Sequence, residues 1–239
     1  MILTIDVGLR NLSMCIMSGK KDLSTYTIHL WETYNVLDAD DYKCQGTFKN
    51  GKLCNRKCTY KYGDPVVYCC KTHFPKDIKV TKNNHYKKKR VDDYLLQDIA
   101  LVFIQRVRAI YDANVDLFQK LISIGIELQP KMNRKMVFTS HILYATLVEL
   151  FKDTIPIRFV RASQKLKAYT GPELVCHLKG AYAKRKWLSI QYCIWMIQHK
   201  MKSQEAWLPI FENHPKKDDL SDVFLMAINT LYGIPKKSG

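Results

Sequence analysis

Residues 1–17 read Met-Ile-Leu-Thr-Ile-Asp-Val-Gly-Leu-Arg-Asn-Leu-Ser-Met-Cys-Ile-Met. Met1 to Val7 forms one apolar segment and Leu12 to Met17 a second, with Gly8 marking the turn between them. Gly19 separates these from Tyr26 to Trp31, a third segment with loose alternation. Three adjacent strands joined by short turns predict an antiparallel meander. Asp6 closes the first strand, and an isolated charge among apolar neighbours requires a partner.

The same signature recurs twice downstream. Leu121 to Leu128 is a short apolar strand stopped by Pro130, and Glu127 lies at its end in Ile-Gly-Ile-Glu-Leu-Gln-Pro. Residues 216–224 read Lys-Lys-Asp-Asp-Leu-Ser-Asp-Val-Phe, opening the final helical pattern. There Asp219 and Asp222, at i and i+3, share a helix face, and Asp218 with Asp222, at i and i+4, would do so equally. Spacing alone leaves the choice between Asp218 and Asp219 open. Strand ends at the carboxyl edge of an α/β sheet are where sites are commonly built. Acids gathered there without nearby cations must take up protons or bind metal.

Between these landmarks the periodicity alternates. Leu95, Ile99, Val102, Phe103 and Ile110 fall at helical spacing, as do Val137, Tyr144, Leu147, Val148 and Phe151. Ile155 to Val160 is a further strand. A Lys-rich connection leads to a helix around Tyr182 to Met201, and Leu220, Val223, Phe224, Ala227, Ile228 and Leu231 line one face of the last helix. The order is βββ–insert–α–β–α–β–α–α. The fold class is α/β, a mixed sheet flanked by helices.

Residues 38–90 differ in character, being rich in Lys, Cys, Tyr and Asn and poor in Leu, Ile and Met. They are expected to form an inserted module with a basic linker, leaving 1–37 and 91–239 as the main domain. Cysteines and a histidine follow the pattern Cys44-x9-Cys54-x3-Cys58-x10-Cys69-Cys70-x2-His73. Zinc takes four thiolate or imidazole ligands in closed structural sites. Cys44, Cys54, Cys70 and His73 are the first choice because Cys-x2-His is a compact pair, with Cys58 and Cys69 as alternatives. A module this poor in apolar residues depends on metal to fold.

The 239 residues carry a formal charge of +16 with 47% apolar content. That allows a proper core and points to nucleic acid as partner. Basic clusters lie at Lys87-Lys88-Lys89-Arg90, at Lys131 to Lys135 (with Arg134), at Arg158 to Lys167 and at Lys184-Arg185-Lys186. No apolar run of about 18 residues occurs, so no membrane span is expected. The N-terminus shows neither signal nor transit character, which favours a cytoplasmic or nuclear setting. In so basic a chain an acidic hole is where a divalent metal would sit and phosphate would be cut. Phosphodiester hydrolysis with two metals uses carboxylates to hold ions about 3.5–4 Å apart, and Mg²⁺ (or Mn²⁺) suits such a site.

The segments Ile-Asp-Val-Gly-Leu-Arg-Asn-Leu-Ser, Ile-Glu-Leu-Gln-Pro and Lys-Lys-Asp-Asp-Leu-Ser-Asp, in that order, resemble RuvC-type Holliday junction resolvases. The likeness is to the mitochondrial and poxvirus branches of the RNase H-like superfamily. The resemblance covers most of residues 1–36 and 91–232. It implies an RNase H-like core, a homodimer, and paired symmetric nicks across a four-way DNA junction. It matches Asp6, Glu127, Asp219 and Asp222 to two-ion metal-binding acids, with Asp218 in reserve. Lys217 matches a basic position near phosphate, and Lys184 and Arg185 a helix on the DNA backbone. Arg10 lies within the first motif, and Lys87, Lys88, Lys131 and Arg134 join it as candidate DNA contacts. The Cys/His insert departs from the bacterial pattern and resembles small knuckles of large DNA viruses, implying a viral cytoplasmic replication site. The alternatives are a transposon-type RNase H-like nuclease and a zinc-dependent DNA-binding protein whose acids are structural.

Overall fold

The computed structural model describes residues 1–20, 22–37, 42–87, 90 and 93–232. Five strands, β1 (Ile2–Val7), β2 (Asn11–Ser18), β3 (Thr27–Asn35), β6 (Ser123–Glu127) and β7 (Ile157–Val160), form one sheet in the order β3-β2-β1-β6-β7. The short strands β4 (Tyr60–Tyr62) and β5 (Val67–Cys69) form a separate hairpin. The first three strands are the expected antiparallel meander, whereas β6 pairs parallel to β1 and β7 parallel to β6. The helices are α1 (Leu96–Ala113), α2 (Val115–Phe118), α3 (Arg134–Phe151), α4 (Ala181–Lys200), α5 (Leu208–Asn213) and α6 (Lys217–Tyr232). The chain clusters into two units, Met1–Val36 with Leu96–Gly239, and Leu37–Leu95.

β1 is central and covered on both faces, apolar on one and mixed on the other. Leu3, Ile5 and Val7 join a core built with α1 and α3. Ile2 faces the opposite core, built with α4, α5 and α6. Because side chains alternate, Thr4 and Asp6 also point toward that second layer. α6 is buried almost all round: Leu220, Ser221 and every residue from Val223 to Ile228 are at most 1% exposed. The sequence pattern shows one apolar face; the structure shows a helix enclosed by its neighbours.

Two buried donors fix α6 on the sheet. The Thr4 hydroxyl donates to the Val223 carbonyl at 2.7 Å, and the Trp31 indole N–H donates to the Leu220 carbonyl at 2.9 Å. Both act on the first turns of α6, the part that carries the acids. The hairpin between β1 and β2 is tight. Gly8 N–H bonds Asn11 carbonyl at 2.8 Å, and a Cβ at Gly8 would meet that oxygen at 2.6 Å.

In unit Leu37–Leu95 the buried hydrophobic cluster is five cysteines, Cys44, Cys54, Cys58, Cys69 and Cys70, ringed by Phe48, Tyr60, Tyr62, Tyr68, Phe74 and Tyr86. No helix among the described residues is long and apolar enough to cross a membrane.

Candidate functional site

β1 and β6 run parallel with Ile5 opposite Ile126, so the next residues, Asp6 and Glu127, lie side by side at the carboxyl edge. Ile5 and Ile126 share one core, and alternation therefore turns both acids to the α6 face. Asp222 comes from the second turn of α6, beside the Val223 carbonyl held by Thr4. The fourth member is Lys165, in the 3-10 segment Ala162–Ala168 that follows β7. Its Nζ lies 3.2 Å from Glu127 Oε1 and 2.5 Å from Asp222 Oδ2. Side chains of Lys165, Glu127 and Asp222 are only 15%, 12% and 24% exposed, so these charges meet in a poorly hydrated place.

Three carboxylates and one ammonium cannot all ionise there at ordinary carboxylate pKa values. Burial pushes Asp6 well up, and its hydrogen bond to Glu127 and the charges of Glu127 and Asp222 push the same way. Glu127 ends low: burial raises it, but the hydrogen bond from Asp6 and the Lys165 ammonium outweigh that. Burial lifts Asp222 to about 6, against the pull of Lys165. Lys165 is itself raised because Glu127 and Asp222 outweigh its own desolvation. Asp6 and Glu127 thus share a hydrogen bond in which Asp6 is the harder to ionise, and the Lys165 ammonium lies against Glu127 and Asp222 as counterion.

Asp218 and Asp219, equivalent by spacing, are separated by α4. Lys186 of α4 forms an ion pair with Asp218, which is held below its usual range despite its burial. Asp219 is raised by burial, by Asp218 and by Glu127, so it shares the field of the acid cluster. Lys217 makes no ion pair with these acids among the described residues. It lies five residues before Asp222, well round the helix from it. The lysine that reaches the acids is Lys165, within the Arg158–Lys167 basic run but indistinguishable there by type.

Arg10 is half-buried in the β1–β2 turn, where its carbonyl accepts the Val36 N–H at 2.6 Å. Lys131 and Arg134 are exposed at the turn before α3 and at its first residue, and Lys184 and Arg185 are exposed on α4. Lys87 is exposed in the insert; Lys88 and Lys89 lie outside the described residues.

In the insert, Cys44, Cys54, Cys70 and His73 bring their ligand atoms within 4.8 Å of one another, the one such group among the described residues. Cys54 and Cys70 sulfurs are 3.8 Å apart, and His73 Nδ1 lies 3.5 and 3.4 Å from the Cys44 and Cys70 sulfurs. A tetrahedral zinc with Zn–S of about 2.3 Å requires sulfurs about 3.8 Å apart. His73 Nε2–H donates to the Thr47 carbonyl at 3.1 Å, leaving Nδ1 free to ligate, the outer hydrogen bond that metal-binding histidines need. Burial raises Cys70, but bonds from the His73 backbone and ring and from Cys44 and Cys54 bring it down to about 6. A zinc ion bound here would neutralise the thiolates and lock the surrounding turns. Cys58 and Cys69 are buried outside the four, and burial lifts Cys69 to about 11. Gly46 backs the histidine so closely that a Cβ would meet the ring at 2.4 Å.

Among solved structures, the chain is similar to the yeast mitochondrial Holliday junction resolvase Ydc2, with a TM-score of 0.53 and 15% identity, covering 97% of this chain and 79% of that chain. It is also similar to the fowlpox virus resolvase in complex with substrate Holliday junction DNA, with a TM-score of 0.45 and 14% identity over 96% and 97% of the two chains. For Thermus thermophilus RuvC in complex with a Holliday junction substrate the values are 0.47 and 10%, over 98% and 96%. No family model and no curated protein matches the sequence. At 15% identity the likeness to the yeast protein is one of fold. The mixed five-stranded sheet flanked by helices is the RNase H-like class expected from the sequence.

Proposed function

We propose that the chain is a divalent-metal-dependent endonuclease that resolves four-way DNA junctions by paired nicks, acting as a homodimer. One observation carries the reading: Asp6 and Glu127 share a hydrogen bond at one sheet edge and Lys165 joins Glu127 to Asp222 of the last helix, in a chain of charge +16. The fold shared with a yeast mitochondrial resolvase supports it. Asp6, Glu127, Asp219 and Asp222 would hold Mg²⁺ or Mn²⁺, which when bound supplies a polarised phosphoryl oxygen and an acidified water. The donor set fits, being all carboxylate oxygen, the ligand type these hard cations take.

The chain's own residues have distinct tasks in this reading. Asp6 and Glu127 share one hydrogen bond, and the carboxyl that carries its proton would release it on ligating metal. Lys165 is the cation between Glu127 and Asp222; were those acids to take metal, its ammonium would be free to meet the substrate phosphate and stabilise the charge developing on its oxygens. Lys186 withholds Asp218 from the cluster, so that Asp219 is the fourth acid.

The test is incubation of purified protein with labelled four-way junctions and Mg²⁺ or Mn²⁺. Symmetric paired nicks are expected, with Asp219→Asn slowing them by about 10²-fold or more and Asp218→Asn by less than about 10-fold. No nicking by the wild-type protein, or DNA binding alone with all acids dispensable, would favour the structural role of the acids and sink the proposal.

A further inference from the structure

A second feature of the molecule has no part in the acid site. From Tyr42 to Gly63 the sequence holds six basic residues, Lys43, Lys49, Lys52, Arg56, Lys57 and Lys61, and no acid. Residues 43–57 fold as a hairpin. Lys43 bridges Lys57, Cys54 N–H bonds the Gly46 carbonyl, Thr47 bridges Leu53, and Phe48 N–H bonds the Lys52 carbonyl. The tip is a turn closed by Gly51 N–H on the Phe48 carbonyl, with Gly51 at φ +77. Cys44 and Cys54 anchor the hairpin in the four-ligand centre, so its cations are carried on a fixed frame rather than a loose loop.

Lys43, Lys49, Lys52, Arg56 and Lys57 are exposed, and none of the six forms an ion pair among the described residues. Lys43 and Lys57 stand directly across from one another, a like-charge pairing that destabilises a hairpin unless an external anion screens it. Arg56 lies over the Phe48 ring, 5.4 Å from its centre, a contact that restricts the exposed guanidinium.

We infer that this hairpin is a phosphate-binding ridge that grips the DNA backbone independently of base sequence. The spacing of charge along a rigid two-stranded element fits a polyanion better than a single small anion. Phosphate contacts of this kind position a duplex without reading it. The inference rests on the DNA-processing reading above for the identity of the polyanion.

The experiment uses the full chain with Lys49→Gln, Lys52→Gln and Lys57→Gln combined, and a matching triple Lys→Arg variant. Binding to a labelled four-way junction and to a linear duplex is measured by fluorescence anisotropy without Mg²⁺, between about 50 and 200 mM salt. Neutralising three contacts should weaken binding to both DNAs by about 10-fold or more and lower the salt slope by about 2 to 3. The Lys→Arg variant should behave as wild type, and bound zinc and melting temperature should be unchanged in both. Wild-type affinity and slope in the Gln variant, with its zinc intact, overturn the ridge. Equal weakening in the Lys→Arg variant overturns it too, because charge would then not be the cause. Mg²⁺-dependent nicking by the wild type, scored in parallel, keeps the outcomes apart. Nicking with an unaltered salt slope in the Gln variant overturns the ridge alone, and slope loss without any nicking overturns the nuclease reading alone.

Discussion

Asp6→Asn is expected to lower metal-dependent nicking by at least about 10³-fold, roughly 4 kcal/mol of barrier, while raising the thermal stability of the metal-free protein. Both effects come from the same burial. Asp6 sits on the central strand, against Glu127 and near Asp222, where burial and like charge disfavour its ionised form. An amide of the same shape keeps the hydrogen bond to Glu127, has no charge to desolvate, and cannot serve as an anionic ligand. The sign with pH follows by linkage. Asp6 and Asp222 have folded pKa values above their unfolded ones, about 6 for Asp222. The folded state then binds the extra protons, so their contribution is full below about pH 4 and is lost as pH rises through the folded values. Glu127, held low, runs oppositely: its contribution is present above the unfolded value and lost as pH falls. Melting temperatures measured between pH 4 and 7.5 without added divalent metal should show Asp6→Asn above wild type at pH 7.5, the gap closing toward pH 4. A variant less stable than wild type at neutral pH would refute this account of the site.

Cys70→Ser should abolish zinc binding and unfold residues 37–95. The serine hydroxyl keeps the shape but does not ionise, so a four-ligand centre becomes a three-ligand one. What is lost is large beside the rest of the module, whose buried hydrophobic cluster consists of the cysteines themselves. Structural zinc supplies on the order of 10–16 kcal/mol in peptides of this kind near neutral pH, and no aliphatic cluster here offsets its removal. Cys58→Ser and Cys69→Ser should keep one zinc per chain and cost only about 1–3 kcal/mol, as hydroxyls placed in buried sites do. Metal analysis with limited proteolysis separates the cases. Protection of residues 37–95 in Cys70→Ser, or zinc loss in Cys69→Ser, would mean that the ligand set is different.

The strands and long helices are legible because their apolar periods are strong, and Asp6 and Glu127 are legible because an acid ending an apolar strand is conspicuous. Lys165 is not. It follows β7 on a 3-10 segment without periodicity, among Arg158, Arg161 and Lys167, and only the parallel pairing of β7 with β6 brings it to Glu127. Asp218 and Asp219 share a helix face with Asp222, so what parts them is Lys186 from another helix, a tertiary fact. The short elements α2, α5, β4 and β5 are likewise invisible, too brief to show a period. Cys69 and Cys70 are neighbours in the chain, yet the end of β5 turns only Cys70 toward Cys44, Cys54 and His73.

The clamps from Thr4 and Trp31 onto the first turns of α6 bear on the protein during its own synthesis. Asp222 and the helix that carries it are made more than two hundred residues after Asp6. A growing chain can form β1, β6 and the basic surfaces early and still lack the acid that completes the cluster. On the proposed reading, a nascent chain on the ribosome can hold nucleic acid but not cut it, and catalytic competence arrives only when α6 docks.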